Sequence, residues 1–103
     1  MKVEIVAPDL GGYEQNQDLV FKTLDKFDKY LHDFPEGSIF ARVVLRPHPA
    51  DDMRVQCTID LSLPGAPKAI ADAEGDNRRE ALSACADEIE RQLREMKERR
   101  EFD

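Results

Sequence analysis

Ala69-Ile70-Ala71-Asp72-Ala73-Glu74-Gly75-Asp76-Asn77 changes its hydrophobic period from two to about 3.6 within a few residues. Before Gly75, Ala69, Ala71 and Ala73 alternate with Lys68, Ile70, Asp72 and Glu74, the pattern of a strand with one buried face. After it, Leu82, Cys85, Ala86, Ile89, Leu93 and Met96 recur at helical spacing through a heavily charged segment. An inner face lined by alanine is narrow, so a helix can lie close against it. This junction predicts the architecture.

Working outward, the strand runs from about Pro67 to Glu74, and Pro64-Gly65 closes the hairpin before it. Upstream, Met53, Val55, Cys57, Ile59, Leu61 and Leu63 alternate with Arg54, Gln56, Thr58, Asp60 and Ser62. The run Pro47-His48-Pro49-Ala50-Asp51-Asp52 predicts a turn, since two prolines do not both fit a paired central strand. A further strand has Ile39, Ala41, Val43 and Leu45 on one face and Phe40, Arg42, Val44 and Arg46 on the other. Residues 2–7 alternate Val3, Ile5 and Ala7 with Lys2, Glu4 and Val6, stopped by Pro8. Between these strands a helix is expected from Asn16 as N-cap, with Asp18 in its first turn. Its core stripe is Val20, Leu24, Phe27, Leu31 and Phe34, flanked by Tyr30 and ended by Pro35 and Gly37. The second helix is expected from about Asn77 to Arg99, with Lys97-Glu98-Arg99-Arg100-Glu101 fraying after Met96.

The order β-α-β-β-β-α predicts an α+β, two-layer fold: a four-stranded sheet with two helices on one face. Strands two to four form an antiparallel meander. The 103 residues make a single domain, 1–103, with no internal repeat or linker. No run approaches the roughly 20 apolar residues of a membrane span, and the N-terminus is too short and regular for a signal peptide. A soluble, cytoplasmic protein is expected. Cys57 and Cys85 fall on apolar sides of their elements and read as buried free thiols. Neither they nor His32 and His48 have ligand spacing, so no metal and no cofactor are predicted.

Catalysis finds little footing in these residues. Gly11-Gly12 lacks the lysine and spaced glycines of a phosphate loop, and Asp51-Asp52 reads as a solvated turn. The formal net charge of −7 argues against generic nucleic-acid affinity, DNA included, yet binding depends on where the cations stand. Lys22, Lys26 and Lys29 form a stripe at i, i+4, i+7 on the first helix. On the second, Arg91 and Arg94 stand on the outer side while Arg79 and Lys97 flank the core stripe, all within one broad sector. From spacing alone, interleaved acids such as Asp18, Asp25, Asp87 and Glu90 favour a salt-bridged solvated face over a binding site. On the opposite sheet face Arg42, Arg46, Arg54 and Lys68 form a second cluster, read equally as a contact surface or as solubility chemistry.

Taken together, the chain resembles the short-form ribosome hibernation-promoting factors, the family of the ribosome-associated inhibitor. Lys26-Phe27-Asp28-Lys29-Tyr30-Leu31-His32-Asp33-Phe34 is similar to the family's Lys-Phe, Lys and closing aromatic pattern. Val55-Gln56-Cys57-Thr58-Ile59 resembles its third strand, and Ala71-Asp72-Ala73-Glu74-Gly75-Asp76-Asn77 its strand end and helix cap. Ala81-Leu82, Asp87 and Arg91-Gln92-Leu93 continue the likeness along the second helix. The sequence departs at Asn77-Arg78-Arg79-Glu80, where the family commonly has Asp-Met-Tyr-Ala, and at Glu88 and Glu95, two commonly basic positions.

The resemblance implies a fold related to double-stranded-RNA-binding domains and a non-catalytic role. It implies binding of the 30S subunit and its 16S rRNA at the decoding channel, which inactivates and protects idle ribosomes under stress. Lys22, Lys26, Lys29, Arg91, Arg94 and Lys97 become candidate phosphate contacts, and Arg79 joins them by its sector. The long-form dimerisation domain is not expected after Asp103, and ribosome pairing is then expected to need another hibernation factor. The other reading is an acidic protein-binding module that keeps the scaffold and no longer binds RNA.

Overall fold

A computed structural model describes residues 1–99. Chain order is β1 (Lys2–Val6), α1 (Gly12–Leu24), a 3-10 turn (Asp25–Phe27) leading into α2 (Asp28–Leu31), β2 (Phe40–His48), β3 (Asp51–Ser62), β4 (Ala69–Gly75) and α3 (Arg78–Glu98). The four strands lie in the order β1-β2-β3-β4. β1 pairs parallel with β2, and β2, β3 and β4 form the expected antiparallel meander. The result is the α+β two-layer arrangement, with the first helix broken into α1, the 3-10 turn and α2.

Alternation along the strands decides what the helices cover. Val43, Leu45, Cys57, Ile59 and Leu61 point inward and are buried against Val20, Leu24 and Phe27 on one side and Leu82, Ile89 and Leu93 on the other. Ala69 and Ala71 are buried beneath α3, where larger side chains would hold the helix away. At the end of β4 the approach is closest: a Cβ on Gly75 would come within 2.7 Å of the Ala81 amide nitrogen and of Glu80 Cβ. Glycine is therefore needed there for space rather than for its backbone freedom. Asn77 then starts the helix, its Oδ1 accepting from the Glu80 N–H at 2.9 Å while its Nδ2 donates to Glu80 Oε2 at 3.2 Å.

The two thiols are both buried and free. Cys85 Sγ donates to the Ala71 carbonyl at 3.2 Å, which adds a tie between α3 and β4. The hydrogen bond to Cys85, then burial, pushes the Cys57 thiol far above its ordinary range, so it stays protonated.

Several local expectations are corrected. Asn16 is not an N-cap: α1 starts four residues earlier, after Gly11 in a left-handed conformation (φ 93°), and Asn16 is fully buried inside it. The predicted turn at 47–52 shrinks to Pro49-Ala50, because a register shift between Pro47 and His48 absorbs the first proline within β2. The hairpin tip is closed by side chains, with the Ala50 N–H donating to His48 Nδ1 and the Met53 N–H to Asp51 Oδ1, each at 3.0 Å. Met53 is 80% exposed instead of facing the core. β4 pairs with β3 only from Val55 onward, so nothing covers the overhanging tip. In the expected frayed tail, Lys97 and Glu98 are helical, whereas Arg100 and Glu101 lie outside the described residues.

Candidate nucleic-acid interface

Arg78 and Asn16 set how the two long helices meet. Arg78 Nη1 donates to Asn16 Oδ1 at 2.9 Å and to the Leu10 carbonyl at 3.3 Å. Asn16 Nδ2 in turn donates to the Leu10 and Gly12 carbonyls at 2.9 and 2.6 Å. A buried amide left half-satisfied would be costly, so this hub pins the start of α3 to the start of α1. From that common end the helices run side by side in the same direction. Sequence reasoning missed both residues, since Asn16 reads as a cap and its partner lies 62 positions away.

One turn further on, Leu19, Lys22, Thr23, Lys26, Arg79 and Ser83 line an open groove of about 240 Å³ between α1 and α3. Thr23 spends its hydroxyl on the Leu19 carbonyl at 2.7 Å, leaving the three cations and the Ser83 hydroxyl as the groove's polar groups. Lys22, Lys26 and Arg79 are exposed and make no ion pair with any described residue. Three of the seven candidate positions thus converge on one concavity. Exposed amines and a guanidinium have the chemistry for point-charge and forked contacts to phosphate groups.

The other candidates are distributed differently. Lys29 Nζ stands 3.9 Å from Glu90 Oε2 and 5.2 Å from the centre of the Tyr30 ring, so it is partly neutralised. Arg94 and Lys97 are exposed and without an ion pair among the described residues. Helical spacing places them on the flank of Glu90, one and two turns beyond it.

Arg91 is exposed on the outer side of α3 as expected, but it is tied up by acids. Its Nε and Nη2 donate to both oxygens of Glu88 at 2.9 and 2.6 Å, and its Nη1 to Glu95 Oε1 at 2.6 Å. These hydrogen bonds, with a further one from Gln92, hold the Glu88 carboxyl down at about 2. Arg91 is therefore engaged by acids of its own helix, next to the side chain of Gln92 that reaches the β4 edge. There Gln92 Oε1 accepts the Ile70 N–H at 3.1 Å and Gln92 Nε2 donates to the Ile70 carbonyl at 2.8 Å.

On the opposite sheet face the basic cluster does not converge. Arg42 pairs with Glu4 at 3.0 Å, Arg54 with Asp76 at 2.8 Å and Glu74 at 3.6 Å, and Lys68 with Asp60 at 3.3 Å. Arg46 Nε donates to Gln56 Oε1 at 3.2 Å. Cross-strand neighbours absorb these charges, as the sheet register predicts once it is known. Among the described residues no cluster of three or more His, Cys, Asp or Glu side chains could hold a metal ion, and no helix is long and apolar enough to cross a membrane.

Comparison with known proteins adds two findings. A family model described as sigma 54 modulation protein / S30EA ribosomal protein matches residues 4–101. The N-terminal domain of Thermus thermophilus Protein Y is similar in structure, with a TM-score of 0.74 and 22% identity over 93% of this chain and 99% of that one. A ribosomal subunit interface protein from Coxiella burnetii gives a TM-score of 0.71 and 17% identity, covering 95% of this chain and 99% of that one. At these identities the likeness establishes the fold. No curated protein sequence matches.

Proposed function

The chain belongs to the sigma 54 modulation protein / S30EA ribosomal protein family, the hibernation-promoting factors, and on that premise we propose that it binds idle ribosomes through the groove between α1 and α3. The finer reading is a non-catalytic translation regulator that occupies the small subunit near the decoding channel, with residues 1–103 acting as one unit on 16S rRNA. Bound there, it excludes messenger and transfer RNA by occupancy alone, and no bond needs to be made or broken.

The observation that carries this reading is the meeting of Lys22, Lys26 and Arg79 around one open groove without acidic partners. A chain of net charge −7 needs such a local positive site to approach phosphate at all. Arg94 and Lys97 extend the contact along α3, Lys29 contributes after exchanging Glu90 for phosphate, and Arg91 remains with its acids.

Co-sedimentation with purified 30S and 70S particles from the source organism tests it. The wild-type chain is expected to pellet at low salt and to be released as salt rises. Lys22→Glu/Lys26→Glu/Arg79→Glu is expected to pellet at least about tenfold less. Wild-type protein remaining in the supernatant, or a triple variant that pellets equally, overturns the reading. For the finer site, a hydroxyl-radical source tethered at Ser83→Cys should cut 16S rRNA beside the decoding channel. Cuts confined to other rRNA regions would place the protein elsewhere.

A further inference from the structure

We propose that the flank of α1 turned away from α3 is a second docking surface, which accepts an extended basic protein segment carrying a bulky apolar side chain. Met1, Val3, Phe21, Leu24, Asp25 and Asp28 line a hollow of about 100 Å³ where α1 and the 3-10 turn overhang β1. Phe21 stays 40% exposed at its mouth. Asp25 and Asp28 make no ion pair with any described residue. The helical segment formed by α1, the 3-10 turn and α2 thus presents opposite signs on its two flanks: Lys22 and Lys26 line the groove with α3, Asp25 and Asp28 the hollow with β1.

The sheet edges differ in the same sense. In the order β1-β2-β3-β4 the outer strands are β1 and β4. At β4 the Gln92 side chain makes with Ile70 the pair of bonds that a neighbouring strand would make. Among the described residues β1 has β2 on one side and no strand on the other, with the apolar hollow beside that edge. An extended peptide laid along β1 gains main-chain hydrogen bonds there and can seat one apolar side chain in the hollow.

Charge selects the occupant. Asp25 and Asp28 repel a phosphate backbone, which turns this flank away from RNA. A lysine- or arginine-bearing segment gains two carboxylate partners while its apolar residue covers Phe21, Leu24 and Val3. This surface lies across α1 from the RNA groove and does not depend on it.

The test is an amide-shift NMR titration of the full chain with an acetylated hexapeptide alternating lysine and leucine, alongside a version with glutamate for lysine. The lysine peptide is expected to move amides of 2–6 and 21–28 only, and the glutamate version to move none. Asp25→Lys/Asp28→Lys, with its fold checked by its own spectrum, is expected to weaken binding about tenfold or more. Equal binding by the double variant overturns the proposal, as do shifts centred on Asp51-Asp52 or Glu88, or no shift with peptide on the order of 1 mM. So does concentration dependence without peptide, which would make a second copy the occupant, or an RNA duplex moving the same amides.

Discussion

Glu88, a half-buried carboxylate, engages the Arg91 guanidinium together with Glu95 and so bears on which arginines the proposed RNA contact can use. Its partner Arg91 is fixed by three short hydrogen bonds on α3, and the carboxyl titrates near 2 instead of 4.5. Because the folded value is depressed, the contribution of this pair is present above the usual carboxylate range. It is lost as pH falls from 4.5 through 2. Carbon-detected NMR of the Glu88 carboxyl should show that midpoint, and Arg91→Gln should return it toward the ordinary range; an unshifted midpoint in the wild type would contradict the bonds. Gly75 makes a second residue-scale prediction. Gly75→Ala drives a methyl against the Ala81 amide 2.7 Å away, a backbone atom that cannot swing aside, and should cost about 1–3 kcal/mol in urea denaturation. The strand-end motif was legible in the sequence as a glycine before a helix cap, but its reason, the depth of the α3 approach, was not. Nor was the role of Asn16: a helix-capping residue type and a buried hub look alike until Arg78 arrives from the other end of the chain.

Elements with strong periodicity were read well, and those ended by tertiary contacts were not. The core stripe of α3 and the inward faces of β2, β3 and β4 follow the alternation directly. The exceptions are Pro47, kept in β2 by a bulge, and Met53, exposed because β4 stops short beneath it. Both depend on strand register, which periodicity does not set. Register also explains why Arg42, Arg54 and Lys68, a cluster on paper, are separately paired with acids on adjacent strands or at their ends. The Gln92 contact belongs to this scale. It occupies the outward N–H and C=O of Ile70 on an edge strand, with Glu88 accepting from the same amide nitrogen at 3.3 Å. Gln92→Leu removes both bonds at a solvated edge, so stability should fall by about 1–2 kcal/mol. Hydrogen exchange at the Ile70 amide should speed up while the Ile59 amide in the adjacent strand stays protected. Unchanged Ile70 exchange would mean that Gln92 does not cover the edge.

For the whole molecule, net charge alone would point away from RNA, and only the arrangement of charge reverses that expectation. Asp25 and Asp28 line the hollow on the β1 side of the first helical segment, while the α1–α3 groove gathers Lys22, Lys26 and Arg79. Such an arrangement makes a quantitative prediction for ribosome binding. Each cation that neutralises a phosphate adds about 0.7–0.9 to the slope of log K against log salt. Lys22→Gln should therefore flatten the slope by about that amount and weaken binding at every salt concentration. Arg91→Gln should leave the slope unchanged, because Glu88 and Glu95 already neutralise that guanidinium in the free protein. The sequence alone ranks these two residues together, as members of basic stripes on neighbouring helices. Their separation comes from the partners each is given, two carboxylates for Arg91 and none among the described residues for Lys22, so the pair of slopes measures the assignment directly. If Arg91→Gln flattened the slope as much as Lys22→Gln, the acids would have to release Arg91 on binding, and the RNA surface would extend around α3 to β4.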